Sequence, residues 1–211
     1  MWNQIRDKML FLYKFARAPK QIGSITPSSA FLAKKMIQQV PWQRVQAVAE
    51  LGAGTGAITK YIAAAKRDKT RVLLFEKDPL LREQLAERYP EFGCYADASS
   101  IDSALRSEGI GEGQLDCILS GLPFFNFPQQ LRDRLMEQIT RSLKPGGLFI
   151  AFQYSQQMKK QLDRNFELEH IRFVALNVPP AFVYVCRKKE HSPSVRASYG
   201  LRTAGKESPV L

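Results

Sequence analysis

Five short apolar segments, separated by stretches of helical character, constrain the fold of this chain more than any other feature. They are 45–51, 71–76, a segment ending at Asp97, 115–120 and 147–154. None of them alternates apolar with polar residues over its length, so both faces of each segment are expected to be buried as strands. Buried strands that alternate with helices predict an α/β fold, in which a parallel sheet is covered by helices on both faces.

The carboxyl end of this series departs from the pattern. Two further apolar segments, 171–178 and 181–187, are separated only by Pro179 and Pro180. That connection is too short for a helical crossover, so the two segments should pair as an antiparallel hairpin on the edge of the sheet. The expected sheet is therefore seven-stranded and mostly parallel, with an antiparallel C-terminal hairpin strand.

The chain divides into three parts by composition. Residues 1–40 should hold an amphipathic helix over 2–17 and a second helix with Thr26 at its N-cap. Residues 41–189 should form the α/β domain. Residues 190–211 are polar and lack periodicity, which predicts a basic and mostly disordered tail.

The basic residues are concentrated at the two ends of the chain. Of the formal net charge of +11, residues 1–40 contribute +6, residues 186–211 contribute +4, and the remainder contributes about +1. Such ends suggest contact with a polyanion, either an anionic membrane surface or nucleic acid, although solvated tails that aid solubility would look the same.

Cysteine and histidine usage bears on the compartment and on metal binding. The three cysteines are widely spaced, and the two histidines, His170 and His191, are not clustered, so we expect neither a disulfide framework nor a metal site. No apolar run is long enough to span a membrane. We therefore expect a cytoplasmic protein, free or peripheral to the inner face of the membrane.

A glycine-rich turn, ELGAGTG at 50–56, follows the first strand and opens a helix. Gly52 permits the tight turn, and Gly54 lets the backbone approach a ligand at the helix start, where free N–H groups point outward. Together with Ala57, the two glycines also satisfy the G-x-G-x-x-A form of the dinucleotide fingerprint. The turn therefore predicts a nucleotide site without deciding which nucleotide it binds.

Glu50, Gly56 and the terminal hairpin argue against a pyrophosphate-containing ligand. The carboxylate of Glu50 would repel a phosphate, but it could hold the ammonium group of a cofactor that carries an amino acid, directly or through water. With these features the chain resembles the class I S-adenosylmethionine-dependent methyltransferases over about residues 23–187. The resemblance implies a Rossmann-like fold and S-adenosylmethionine as cofactor.

The same resemblance implies which residues bind the cofactor. The turn at 50–56 meets the methionine part, Glu76 takes both ribose hydroxyls, and Asp97, with Ala98 beside it, contacts the adenine amino group. The whole expected set is Glu50, Gly52, Ala53, Gly54, Thr55, Gly56, Glu76, Lys77, Asp97, Ala98, Ser120, Gly121, Thr26 and Ser28.

The segment SGLPFFNFP, at 120–128, follows the fourth strand, where this fold presents the methyl acceptor. Adenine and amide methyltransferases carry Asn or Asp there, followed by an apolar residue, Pro and an aromatic residue. This chain has Gly121 in place of the polar residue and keeps Phe124 as the aromatic one. Asn126 lies too far along to fill that role without a different turn, which disfavours recognition of a planar base.

Three stretches, 23–29, 120–128 and 177–187, resemble the soluble bacterial phospholipid N-methyltransferases. That group is itself similar to the ribosomal RNA adenine dimethyltransferases. The resemblance implies N-methylation of a phosphatidylethanolamine-type headgroup at the membrane surface. Because the methylated product is a cation, aromatic faces would favour it, and Phe124, Phe125 and Tyr13, together with Ser120, are the expected catalytic set. The alternatives are N6-methylation of ribosomal RNA adenine, methylation of a small-molecule or peptide amine, and a module that binds the cofactor without catalysis.

Overall fold

The computed structural model describes residues 27–177 and 179–190, and the structural statements below concern these residues. The predicted N-terminal helix over 2–17, with Tyr13 and Thr26, lies outside the described residues. So does the predicted tail from 191 onward. The boundaries proposed for the three parts of the chain therefore remain predictions.

Six α-helices, three short 3₁₀ segments and seven strands make up the described part of the chain. The helices are α1 (Pro27–Ile37), α2 (Thr59–Ala65), α3 (Pro79–Arg88), α4 (Ile101–Ser107), α5 (Gln129–Ser142), α6 (Lys159–Asn165) and, as the shortest regular turns, the 3₁₀ segments Trp42–Arg44, Ala98–Ser100 and Phe124–Asn126, so that six are α-helical. The strands are β1 (Ala47–Leu51), β2 (Arg71–Phe75), β3 (Gly93–Tyr95), β4 (Leu115–Ser120), β5 (Leu143–Gln153), β6 (Phe166–Val174) and β7 (Ala181–Lys188).

The strands form one sheet in the order β3-β2-β1-β4-β5-β7-β6. β1 to β5 pair in parallel, whereas β7 pairs antiparallel with both β5 and β6. The predicted mostly parallel, seven-stranded sheet with an antiparallel C-terminal hairpin is thus confirmed. The strand order reverses between β1 and β4, and the residues Leu51 and Ser120 at their carboxyl ends are paired.

The helices cover both faces of the sheet, as predicted. Along β1, Ala47, Ala49 and Leu51 belong to one apolar cluster, which also includes residues of α4 and α5, whereas Val48 belongs to a second cluster with residues of α1 and α2. All five residues of β1 are buried. This arrangement fixes the carboxyl ends of β1, β2, β4 and β5 at one edge, where the functional residues are expected.

Some boundaries differ from the prediction for local reasons. β6 spans Phe166–Val174, whereas the predicted segment is 171–178. The first residues of β6 alternate between buried and more exposed positions, as in an edge strand, so they do not form a continuous apolar segment. β3 ends at Tyr95, because the side chain of Asp97 accepts a hydrogen bond from the Ser99 N–H and so begins a 3₁₀ turn. The helices α4 and α6 are seven residues each, too short to show a clear period.

None of the described helices combines the length and apolar character that crossing a membrane would require.

Candidate active site

The glycine-rich turn leaves β1 at the reversal of strand order. Gly52, Gly54 and Gly56 have φ angles of 76°, 56° and 83°, in the region that favours glycine. The Gly52 N–H donates to the carbonyl of Phe75 over 2.8 Å, which ties the turn to β2. A Cβ added at Gly54 would meet nothing within 4 Å. The turn therefore presents its backbone to an open space in which a ligand would fit.

Glu50 is a buried carboxyl directly ahead of this turn. Its Oε2 accepts a hydrogen bond from Thr59 Oγ1 over 2.7 Å, and its buried Oε1 accepts none from the described residues. The pKa of Glu50 is raised to about 8, mainly by burial and to a smaller extent by the negative charge of Glu76, against the lowering effect of the Thr59 hydrogen bond. A buried acceptor without a donor fits the ammonium group of a cofactor that carries an amino acid.

Glu76 is half-buried at the end of β2 and contacts the backbone of two loops. Its Oε2 accepts from the Gly54 N–H over 2.7 Å, and its Oε1 accepts from the Asp78 N–H over 2.9 Å. Each oxygen retains a second lone pair for a hydroxyl donor. The predicted role of Glu76 at the ribose stays a prediction, and the structure places the carboxylate next to the turn where that role requires it. Lys77 beside it is exposed.

Asp97 and Ala98 lie one strand further along the same edge, after β3. Asp97 is exposed, and both of its carboxylate oxygens accept hydrogen bonds from Ser99, one from the N–H and one from the hydroxyl, each over 2.8 Å. A cavity opens beside Asp97, between β3 and α4, with Tyr95 and Ser103 among its lining residues. The predicted contact of Asp97 with adenine remains a prediction.

The end of β4 packs directly against the glycine-rich turn. The Gly121 N–H donates to the Leu51 carbonyl over 2.9 Å, and the buried Ser120 Oγ accepts from the Leu122 N–H over 3.2 Å. A Cβ added at Gly121 would lie 3.3 Å from the Gly52 carbonyl oxygen, which is tighter than almost all real contacts. Gly121 therefore brings the acceptor loop close against the cofactor turn, where a side chain would require the turn to shift by a few tenths of an ångström.

Phe124 is predicted as a catalytic aromatic face, and this role stays a prediction. Its ring is fully buried, and it packs edge-on against Phe127 and Phe149 at centroid distances of 6.3 Å and 6.2 Å. The 3₁₀ turn Phe124–Asn126 directs this ring into the core. The side chains of Phe125 and Ser28 lie outside the description, so their predicted roles stay untested.

The sequence motifs did not point to Phe152 and Tyr154, at the end of β5, as site residues. Phe152 is half-buried, and its Cε1 would lie 3.4 Å from a Cβ at Gly121. The rings of Phe152 and Tyr154 meet edge to face at 5.8 Å, and 41% of Tyr154 is exposed. The position of Phe152 follows from the pairing of the strands. β4 and β5 are parallel neighbours with Ser120 paired to Ala151, so the next residues, Gly121 and Phe152, are adjacent.

Metal ligation finds no support in the described part of the chain, where no three His, Cys, Asp or Glu side chains come close enough together to bind an ion. The chemically distinctive groups at this edge are instead the two buried or half-buried carboxyls, Glu50 and Glu76, the glycine backbone, and the aromatic pair from β5.

Comparison with known proteins agrees with this geometry. A family profile described as a methyltransferase domain matches residues 48–147. The ornithine lipid N-methyltransferase of Singulisphaera acidiphila is 35% identical over 194 residues, which are 89% of this chain and 100% of that protein. The ribosomal RNA small subunit methyltransferase A of Thermotoga petrophila is 28% identical over 134 residues, 61% of this chain, and the aligned part is only 45% of that protein.

Solved structures show the same fold. The N-methyltransferase NodS from Bradyrhizobium japonicum, in complex with S-adenosyl-L-homocysteine, has a TM-score of 0.65 at 12% identity, over 78% of this chain and 89% of that chain. A SAM-dependent methyltransferase from Aquifex aeolicus has a TM-score of 0.63 at 12% identity, over 82% of this chain and 98% of that chain. With the relative matched over its whole length, the chain belongs to the class I S-adenosylmethionine-dependent methyltransferases and resembles the lipid N-methyltransferases among them, with S-adenosylmethionine as methyl donor.

Proposed function

We propose that the protein methylates the amine of a lipid headgroup. The observation that carries this proposal is the 35% identity to an ornithine lipid N-methyltransferase over the full length of that relative. Ornithine lipid is therefore the first acceptor to test, and phosphatidylethanolamine, which the sequence patterns suggested, is the second. The loops after β4 and β5 carry aromatic residues and no Asp or Glu in their sequence, which suits an uncharged amine as nucleophile.

Gly121 favours this acceptor over an adenine base. Base-methylating relatives need Asn or Asp at this position to accept a hydrogen bond from the target amino group. Here the position is glycine, and an added Cβ would already lie 3.3 Å from the Gly52 carbonyl oxygen and 3.4 Å from the Phe152 ring. The similarity to a ribosomal RNA methyltransferase covers only 45% of that protein, so it supports the shared fold more than a shared acceptor.

Bound S-adenosylmethionine would supply a methyl group that is already activated by its sulfonium. Glu50, Glu76 and the turn at 50–56 are the groups that would hold it, and the loop after β4 would hold the acceptor beside it. In the reaction the amine nitrogen forms the new N–C bond as the S–C bond breaks in line. The main task of the protein is therefore to align the amine and exclude water.

The acceptor edge helps to keep the amine uncharged. The sequence has no Asp or Glu in 121–128 or 154–160, so no carboxylate from these two loops stabilises an ammonium ion at the acceptor position. Transfer of an ammonium ion into a poorly solvated site lowers its pKa, which favours loss of its proton to water before methyl transfer. The methylated product is a cation, and the faces of Phe152 and Tyr154 would stabilise it.

The proposal is tested by supplying the enzyme and labelled S-adenosylmethionine with purified ornithine lipid, phosphatidylethanolamine or ribosomal RNA. We expect label in a lipid fraction, with mass spectrometry showing methylation on the amine. Phe152→Leu should raise the KM for the lipid with little effect on cofactor affinity, whereas Phe149→Leu, a matched change in the core, should leave that KM unchanged. Label found in RNA alone would refute the proposal.

Peripheral binding to an anionic membrane is part of this proposal. The segment 2–17, which is outside the described residues, is predicted to contribute apolar and basic side chains to such binding. Vesicle flotation of the intact protein and of a variant without residues 1–18 measures this contribution. Equal binding of the two to anionic vesicles would eliminate the segment as an anchor.

A further inference from the structure

We propose that the tip of the β6–β7 hairpin is a lipid-contacting surface that sets the acceptor edge against an anionic membrane; this inference rests on the proposed lipid substrate. The hairpin tip is defined as residues 172–177 and 179–182. In the strand order it lies on the opposite side of the acceptor site from the predicted cofactor residues Glu76 and Asp97.

The hairpin tip exposes large apolar side chains. Phe173 is 58% exposed and Leu176 is 63% exposed. Among the described residues, five large hydrophobic side chains are exposed, and three of them lie in the tip or at the adjoining end of β5, Tyr154 being the third. Apolar surface of this kind at the rim of a site gains free energy when it leaves water, and a lipid interface offers that transfer.

The hairpin tip lies at the same end of the sheet as the acceptor loop. Phe182 pairs with Gln153 at the end of β5 and with Phe173 on β6, and the two phenylalanine rings lie 5.2 Å apart. The buried Asn177 donates from Nδ2 to the Pro179 carbonyl over 2.7 Å and is hydrogen-bonded to the side chain of Tyr154. A membrane bound at the tip would therefore lie next to the loop that carries the acceptor site.

The charge of this region indicates an anionic lipid surface as the partner. The sequence has no Asp or Glu in 154–160 or 172–182, nor in α1, which contacts β5, β6 and β7. The same segments carry cations, with Arg172, Lys34 and Lys159 exposed. Exposed apolar side chains flanked by cations, without intervening carboxylates, are the combination that binds anionic lipid.

The chain offers a matched control for the loss of exposed apolar area. Leu80, in the first turn of α3, is 67% exposed, close to the value for Leu176. It follows β2, which is five strand positions from β6 in the sheet, a separation of about 24 Å at the usual strand spacing. A change at Leu80 therefore removes a similar apolar surface far from the hairpin tip.

The experiment compares the full-length wild type, a tip variant with Phe173→Ser and Leu176→Ser, and the control Leu80→Ser. Flotation is measured on phosphatidylcholine vesicles with and without phosphatidylglycerol, and methylation of ornithine lipid is measured in vesicles and in detergent micelles. We expect the tip variant to bind anionic vesicles about tenfold more weakly. It should lose vesicle activity in proportion and keep its micelle activity, while Leu80→Ser behaves as wild type.

Charge is tested separately with Arg172→Gln. This variant should bind phosphatidylglycerol vesicles more weakly than wild type and neutral vesicles equally well, and the difference should disappear at high salt. If the tip variant floats as well as wild type, the inference is wrong. It is also wrong if the tip variant instead changes oligomeric mass, because the tip then packs on a second copy of the chain.

The inference and the proposed function fail in different ways. Flotation that depends on the hairpin tip, without methylation of any lipid in vesicles or micelles, would keep the lipid contact and refute the proposed substrate. Lipid methylation in vesicles that is unaffected by the tip variant would keep the substrate and refute the lipid contact.

Discussion

Replacing Glu50 by Gln should stabilise the cofactor-free protein at neutral and alkaline pH, although Glu50 belongs to the cofactor turn. The carboxyl is buried, and its pKa is raised from 4.5 to about 8, mainly by burial. An acid whose pKa is higher in the folded state favours folding only while it is protonated. Its contribution is full below pH 4.5, declines between 4.5 and about 8, and is lost above that.

The size of the effect follows from those two pKa values. Within this window folding takes up a proton, so the free energy of unfolding falls by about 1.4 kcal/mol for each pH unit. The decline from Glu50 amounts to about 3 kcal/mol by pH 7 and at most about 5 kcal/mol above pH 8. Gln cannot ionise, and its side-chain oxygen can still accept the hydrogen bond from Thr59. Glu50→Gln should therefore match wild type near pH 4.5 and exceed its stability increasingly above that.

Urea unfolding of the cofactor-free proteins between pH 5 and pH 9, with each midpoint and slope converted to a free energy, measures this difference. Glu87→Gln is the control, because it makes the same chemical change at an exposed position of α3. It should follow the wild-type pH profile. Parallel profiles for Glu50→Gln and wild type would refute the assignment of Glu50 as a buried, proton-binding carboxyl.

Glu50→Gln should weaken cofactor binding, although it stabilises the cofactor-free protein. If the free Oε1 of Glu50 receives the cofactor ammonium, binding favours the ionised carboxyl and releases a proton. Calorimetry in buffers of different ionisation enthalpy should show that release for wild type near pH 7 and none for Glu50→Gln, which should also bind more weakly. Equal affinity of wild type and Glu50→Gln for the cofactor would show that Glu50 does not contact the cofactor and only supports the conformation of the turn.

Three further substitutions test the other parts of the site. Glu76→Ala should weaken S-adenosylmethionine binding by about 1–3 kcal/mol, measured by calorimetry, because it removes predicted ribose contacts and the acceptor for the Gly54 N–H; unchanged affinity would misplace the ribose site. Phe124→Ala should lower the free energy of unfolding by about 3–5 kcal/mol, and a variant as stable as wild type would contradict the burial of the Phe124 ring. Gly121→Asn should reduce cofactor affinity through the contact with Phe152, and Phe152→Ala in that background should partly restore it in the same titration.

The fold could be predicted from the sequence because its strongest signals are local. Apolar strands buried on both faces, a glycine turn at a strand end and a two-proline hairpin connection each act over a few residues. Their combination leaves little choice of topology. β6 was only half predicted, since its first residues, from Phe166, follow the alternation of a partly solvated edge strand. The helix α4 was missed because seven residues give less than two full turns of pattern.

The cofactor half of the site was more predictable than the acceptor half, for a physical reason. Glu50 and Glu76 end consecutive parallel strands, so their place at one edge follows from topology. The direction of an aromatic ring depends on the turn that carries it, and the sequence does not state this. A 3₁₀ turn sends Phe124 into the core, while Phe152, at the end of the neighbouring strand, takes the position beside Gly121.

Charge divides the functional edge into two halves that suit different ligands. Glu50 lies at the end of β1 nearest the turn, and Glu76 and Asp97 follow β2 and β3, where they would face a cofactor that carries a positive charge and hydroxyl groups. The loops after β4 and β5 and the hairpin tip carry no carboxylate in their sequence. That absence would serve two purposes at once: an amine there is not held as an ammonium ion, and an anionic membrane can approach without repulsion. A carboxylate introduced at Leu176 should therefore impair binding to anionic vesicles more than Leu176→Ser does, and the excess loss should disappear at high salt.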